Sequence, residues 1–149
     1  MFKWIGVEPN QYMHPYLRRA GNAAGFEVDV RQIHAERMDL ADGSADAVVT
    51  TAVLCSVRDQ AEALQEIRRV LKPGGHLVFL EHVGADRTTR LRKVQRLARP
   101  LWRCMADGCD PIRDTGQAIT DAGFKPVHFE NFRLPLGPVA PHIAGIAES

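Results

Sequence analysis

The chain has 149 residues, 45% hydrophobic and 25% charged, with a formal net charge of +1 at pH 7. That length supports one domain with its own core, and the near-neutral balance excludes a general attraction to nucleic acid or acidic surfaces. No apolar run reaches the roughly 18–20 residues of a membrane span, and the stretch Met1 to Ile5 is too short for a signal peptide. Three cysteines without a C-x-x-C pair argue against a disulfide framework or a zinc site and suit a reducing, cytoplasmic setting.

In chain order, Phe2 to Val7 reads as a short strand running into the turn Glu8-Pro9-Asn10. Gln11 to Ala24 follows as a helix, starting properly after Pro15, with Tyr16, Leu17, Ala20 and Ala24 on its buried side. Gly25 ends it. Val28 and Val30 alternate with Asp29 and Arg31, which predicts a strand over residues 27–33. His34 to Ser44 is a loop turning at Asp42-Gly43.

Ala45 to Val57 is an apolar, β-branched run, expected to be a strand buried on both faces. Asp59 caps the next helix, and Glu62 occupies the reciprocal capping-box position. Ala63, Leu64, Ile67, Val70 and Leu71 recur at helical spacing and give it one core face. Lys72-Pro73-Gly74-Gly75 ends the helix, and His76 to Val83 returns as a parallel strand. A right-handed crossover of this kind places ligands beyond the carboxyl ends of both strands.

Asp86 to Ala106 is a basic, apolar-periodic segment interrupted by Pro100. Its apolar positions are Leu91, Val94, Leu97, Leu101, Trp102 and Met105. The favoured reading has this stripe covering the sheet or roofing an acceptor pocket, with the arginines solvated. The other makes residues 87–105 a basic amphipathic helix in peripheral contact with an anionic membrane. Asp107 to Pro111 is a loop. Asp114 and Thr115 cap a short helix that carries Ala118, Ile119 and Ala122 and ends at Gly123. Lys125 to Leu134 is a strand in which Phe132 and Leu134 fall out of phase with Val127 and Phe129, suggesting a bulge. His142 to Ala147 is a final strand. The order describes an α/β layered fold.

Glu8 is the first candidate for chemistry. An acid just past the carboxyl end of a strand in a nucleotide-binding sheet can accept both ribose hydroxyls, each charge-assisted bond contributing ~1.5–3 kcal/mol. The plain alternative is a solvated acid in an ordinary turn.

Taken together, Ile5-Gly-Val-Glu-Pro-Asn10, Ala35-Glu36, Leu40-Ala-Asp-Gly-Ser-Ala-Asp-Ala-Val-Val49 and Glu66-Ile-Arg-Arg-Val-Leu-Lys-Pro-Gly-Gly75 resemble class I S-adenosylmethionine-dependent methyltransferases of the type 11 group. Val53-Leu-Cys-Ser-Val57, Leu80-Glu-His-Val83 and Ala106-Asp-Gly-Cys109 resemble its alkyl-thiol methyltransferase branch. The resemblance implies a Rossmann-like, doubly wound, mostly parallel sheet with an antiparallel C-terminal hairpin. It implies S-adenosylmethionine as cofactor, with Glu8 on the ribose and Pro9 and Asn10 shaping the same turn. Ala35 and Glu36 would lie by the adenine, and Thr51, Val53, Leu54 and Cys55 would floor the methionine and ribose end. His34 stands where many relatives carry Asp.

The family's first strand, G-x-G-x-G turn and first helix have no counterpart here. The expectation is therefore a single domain over 1–149 that is N-terminally incomplete. Its unpaired strand edges would self-associate, or the strands flanking the gap would pair directly. The implied reaction is methyl transfer to a small, lipophilic acceptor, a thiol for choice. The alternative is a non-catalytic remnant or partner module that does not bind the cofactor alone.

In-line alignment of donor and acceptor can supply ~7–11 kcal/mol. A thiol acceptor must also reach its thiolate from a pKa of ~8.5. His82, at the end of the returning strand, is the first candidate to act as or orient a base, with Glu81 and Asp107 beside it. The plain alternatives are a strand-end histidine bonded to a neighbouring loop and an Asp-Gly turn. Cys55 and Cys109 could react, but small buried thiols are the commoner role.

Overall fold

The computed structural model describes residues 3–149; Phe2, expected to open the first strand, lies outside them. The first strand, β1, spans Trp4–Val7 and leads through a 3-10 turn at Gln11–Met13 into helix α1, His14–Ala23. Strand β2, Val28–Arg31, lies parallel to β1, with Trp4 opposite Val28 and Val7 opposite Arg31. Asn10 organises the entry to α1 by accepting the Tyr12 N–H at 3.1 Å. No residue of α1 is fully buried: of its expected core face Leu17 is half-buried, whereas Tyr16, at 64% exposed, Ala20 and Ala24 are open.

Strand β3 spans Ala45–Thr51, helix α2 Gln60–Val70 and strand β4 Leu71–His82. Asp59 caps α2, accepting the N–H groups of Ala61 and Glu62 at 2.9 and 3.0 Å. The reciprocal half of the expected capping box is replaced: the Asp59 N–H reaches Glu36 at 3.4 Å. Ala63, Leu64, Ile67, Val70 and Leu71 are all buried, as their spacing predicts. Strands β3 and β4 run parallel, as the crossover requires.

Two boundaries differ from expectation. The register jumps from Ala45 opposite Leu71 to Ala47 opposite His76, so Lys72 to Gly75 bulge out of a strand that begins at Leu71. The strand β3 stops at Thr51, because Ala52 turns the chain with φ of +54°. Nor is β3 buried on both faces. Val49 is 53% exposed, and its neighbours Val78 and Ile146 across the sheet share that open face. The opposite face, with Leu77, Phe79 and Ile143, packs beneath α2 into the main core.

Helix α3, Arg90–Met105, continues through Pro100 without a break. Helix α4, Thr115–Asp121, is capped by Asp114. Strands β5, Val127–Arg133, and β6, Pro141–Glu148, form the antiparallel hairpin. Their register is regular from Val127–Ala147 to Arg133–Pro141, without the expected bulge. Strand β6 inserts between β4 and β5, giving the order β3-β4-β6-β5.

The strands β1 and β2 form a separate two-stranded sheet, so β1 and β3 do not pair with each other. They are tied to the larger body by packing: Val7, Ile33 and Ala35 lie against its core.

Helix α3 is turned the other way from the favoured sequence reading. Its buried side chains are Arg92 and Gln95, while Val94, Leu97, Leu101 and Met105 are 49–86% exposed. Gln95 explains the rotation. Its amide accepts the Ala85 N–H at 2.9 Å and donates to the Pro138 carbonyl at 2.8 Å. Those two bonds, one buried and one partly buried, fix the polar side inward and leave the apolar stripe outside.

Candidate active site

The carboxyl ends of the parallel strands β3 and β4 converge on one turn, Ala52 to Val57. A left-handed non-glycine residue costs ~1–2 kcal/mol, so Ala52 must be held by its surroundings. The Ala52 N–H donates to the Leu80 carbonyl at 2.9 Å. Glu81, wholly buried, then accepts the N–H groups of Val53 and Cys55, both at 3.2 Å. Burial pushes the Glu81 carboxyl up from the usual range, and the bonds from this turn only partly oppose the shift.

From the other side, Arg113 donates to the carbonyls of Leu54 and Val57, each at 2.6 Å. The Asp110 N–H donates to the Cys55 carbonyl at 2.8 Å. Asp110 is itself gripped by Arg99 of α3, with Nε at 3.0 and 3.1 Å from its two oxygens and a terminal nitrogen at 2.6 Å. Burial alone would raise the Asp110 carboxyl. The Arg99 fork, the Ile112 N–H and the nearby Arg113 outweigh it and hold the group below the usual carboxylate range.

This clamp brings three sulfur and nitrogen atoms together. Cys109 Sγ lies 3.6 Å from Cys55 Sγ and 3.6 Å from His82 Nδ1. His82 and Cys55 are buried, and Cys109 is half-buried. The Cys109 thiol is held well below the ordinary range, first by its contact with the Cys55 thiol and then, against burial, by the neighbouring His82 and Trp102. The Cys55 thiol is pushed up by the same contact and by burial. Sequence spacing could not reveal this cluster, because its members come from a turn, a strand end and a loop far apart in the chain.

The other sequence candidates are placed as follows. Glu8 is half-buried at the carboxyl end of β1, and its Oε1 accepts the Asn10 N–H at 2.7 Å. Its other oxygen takes no hydrogen bond from the described residues. Pro9 and Asn10 are exposed in the same turn. Ala35 is half-buried against the core, whereas the Glu36 carboxylate is engaged by the Arg58 N–H at 2.7 Å. Thr51 and Val53 are exposed, but Leu54 is wholly buried and its carbonyl is occupied. Asp107 is exposed in a turn with φ of +47°. Thus Glu81, His82 and the Cys55 turn are one assembly, with Asp107 on its rim and Glu8 on the separate β1 edge.

Residues 2–79 match the family model described as "Methyltransferase domain". The chain belongs to the class I S-adenosylmethionine-dependent methyltransferases, type 11 group. It is 42% identical to the human thiol S-methyltransferase TMT1A over 146 residues, covering 95% of this chain and 60% of that protein. It is 46% identical to the rat thiol S-methyltransferase TMT1B, with the same coverage. This methyltransferase chain therefore spans about 60% of the length of those relatives. A solved S-adenosylmethionine-dependent methyltransferase from Methanosarcina mazei superposes with a TM-score of 0.71 at 18% identity, over 97% of this chain and 81% of that one.

The cofactor of the family is S-adenosylmethionine. The free oxygen of Glu8 and the exposed Thr51 and Val53 fit the demands of its ribose and apolar edges; the Leu54 side chain, enclosed in the core, does not. Among the described residues, no helix is long and apolar enough to cross a membrane.

Proposed function

We propose that this chain serves S-adenosylmethionine-dependent methyl transfer to the sulfur of a small, lipophilic thiol. The observation that carries the reading is the likeness to thiol S-methyltransferases across 95% of the chain. When bound, the cofactor supplies a methyl group on a positively charged sulfur that leaves as a neutral thioether. Glu8 takes the ribose hydroxyls with the oxygen that Asn10 leaves free, and Pro9 and Asn10 set the turn. Ala35, Val53 and Thr51 provide flanking contacts. The remaining task is to align the acceptor sulfur, which can supply ~7–11 kcal/mol, and to keep it deprotonated. His82 is the group at the acceptor end suited to removing that proton. Glu81 positions the turn around it, and Asp107 sits at the rim.

The same reading treats residues 1–149 as a domain completed by a further strand between β1 and β3 from upstream sequence. In its support, among the described residues each of those strands has one unpaired edge, and Val49, Val78, Leu80 and Ile146 leave one face of the larger sheet apolar and 38–53% exposed. Without that strand, the open edges would draw two copies together.

The test is calorimetric titration of S-adenosylmethionine into this chain and into a form extended upstream, followed by methylation of an alkyl thiol. Binding and transfer by the extended form support the proposal, and Glu8→Ala should then weaken cofactor binding by about 10–100-fold, the loss of ~1.5–3 kcal/mol. Tight binding by the 149-residue form removes the incompleteness, and failure of both forms removes the function.

Helix α3 supports peripheral contact with an anionic membrane. It carries six basic and no acidic residues, with Arg90, Lys93 and Arg96 bordering the exposed Val94, Leu97 and Leu101. Cosedimentation with phosphatidylserine vesicles should be lost in Leu97→Ser/Leu101→Ser; unchanged binding would discard the contact.

A further inference from the structure

We propose that Cys55, His82 and Cys109 form a site for one thiophilic metal ion of the zinc class, with a fourth position that accepts the sulfur of the thiol substrate. The last clause rests on the thiol reading above; the metal site itself does not.

The argument is geometric. Zinc binds cysteine sulfur at about 2.3 Å and histidine nitrogen at about 2.0–2.1 Å in a tetrahedron. Those bond lengths require ligand atoms separated by about 3.8 Å for two sulfurs and about 3.6 Å for sulfur and nitrogen. The protein holds Cys109 Sγ at 3.6 Å from Cys55 Sγ and 3.6 Å from His82 Nδ1. All three donor atoms lie within 4.8 Å of one another. Two edges of the triangle already have tetrahedral length before any ion is placed.

The environment favours an ion over three neutral groups. Thiol hydrogen bonds are weak, and buried polar atoms without firm partners are costly. A divalent ion displaces one proton from each cysteine, and two thiolates with a neutral imidazole leave the complex uncharged, as burial demands. The ligands are also rigidly carried. Glu81 fixes the Cys55 turn, β4 carries His82, and the Arg99–Asp110 pair holds the Cys109 loop. Soft thiolate ligands with imidazole select zinc or copper(I) over calcium, magnesium or manganese.

Three protein ligands leave a fourth place, the arrangement of zinc sites that take substrate. A thiol entering it would bind the ion through sulfur and give up its S–H proton to solvent water, leaving a metal-held thiolate. With the ion bound, His82 would hold the metal through Nδ1 instead of taking the proton itself, and the free-base role given above would belong to the metal-free protein. The cluster lies at the carboxyl ends of β3 and β4, where ligands of such sheets bind.

The full chain, stripped with chelator under reducing conditions and then freed of reductant without air, is titrated with Co²⁺ as the spectroscopic probe. One equivalent should generate a thiolate-to-cobalt charge-transfer band and tetrahedral visible absorption, which equimolar Zn²⁺ should abolish. Cys104→Ser, off the cluster, should retain the band, and Cys55→Ser/Cys109→Ser should lose it. If the double variant does not fold, displacement by Zn²⁺ on the unaltered chain decides. Absence of the band, its survival in a folded double variant, or its indifference to Zn²⁺ would overturn the site. A Cys55–Cys109 disulfide, found by mass spectrometry, with no metal uptake after reduction would overturn it as well. Adding 2-mercaptoethanol to the cobalt form should raise the band by about half as the thiolate count goes from two to three. No change would remove the substrate position and leave the metal. Because cobalt is read without S-adenosylmethionine, failure of methyl transfer and failure of the site are distinguishable.

Discussion

Arg99→Met is the perturbation that best isolates what holds the candidate site together. Methionine keeps the unbranched, apolar stem of the side chain on α3 while removing the fork that grips Asp110. The loss comprises three contacts at 2.6–3.1 Å to a carboxylate that is 6% exposed. Breaking a buried pair by removing one partner costs about 3–5 kcal/mol. Here Arg99 is itself 41% exposed, and Asp110 keeps the Ile112 N–H at 3.3 Å, so solvent and that bond reduce the figure. The expected destabilisation at pH 7 is about 2–3 kcal/mol. In urea unfolding with a slope of about 1–3 kcal/mol per M, that lowers the midpoint by roughly 0.7–3 M.

The pH dependence provides the sharper check. Arg99 depresses the folded pKa of Asp110, so the pair's contribution is present above the unfolded value of about 3.9 and disappears as pH falls through the depressed folded value. In the variant, protonating Asp110 relieves the uncompensated charge. The gap between the two proteins should therefore close on acidification below about pH 4. A gap below about 0.5 kcal/mol at pH 7, or one that stays constant down to pH 3, would refute the assignment of Arg99 as the anchor of the Cys109 loop.

Two further outcomes follow from other sites. Glu81→Gln turns one acceptor oxygen into a donor facing the N–H groups of Val53 and Cys55, at a cost of about 1–3 kcal/mol at neutral pH, read by thermal unfolding. Because burial raises the folded pKa of Glu81, the unaltered protein should lose stability as pH rises from about 4.3 through that value, a slope the variant should lack; identical slopes would contradict the burial argument. Gly145→Ala drives a methyl into the His128 carbonyl and to 2.5 Å from Phe129 Cβ, so β5 must shift. A loss of about 1–3 kcal/mol is expected in urea unfolding, and a neutral result would show that the β5–β6 spacing is slack.

The crossover from β3 through α2 to β4 was legible because each of its signals is local. Asp59 caps, Ala63 to Leu71 repeat at helical spacing, and the β-branched run before them can form only a strand. Three features escaped. The end of β3 depends on Glu81, thirty residues later, holding a turn whose sequence looks like more strand. The orientation of α3 depends on Gln95 meeting Ala85 and Pro138, so its apolar stripe, read alone, pointed the wrong way. The regular β5–β6 register overrode the phase shift at Phe132, because pairing with β6 continues to Arg133. In the site, His82 and Glu81 were found by their place at a strand end. The grouping of Cys55, His82 and Cys109, like the Arg99 and Arg113 clamps, arises from distant segments and has no sequence period.

The insertion of β6 between β4 and β5 sets a timetable for synthesis. Strand β4 ends at His82, whereas β6 is complete only at Glu148. At about 5–20 residues per second, β4 waits roughly 3–13 s for its second neighbour, and β5 has no partner in the meantime. Leu77, Phe79 and the rest of that apolar band are therefore on view to chaperones, or to another nascent copy, for far longer than a local hairpin would be. Slowing translation after β5 should raise aggregation more than slowing it after α2.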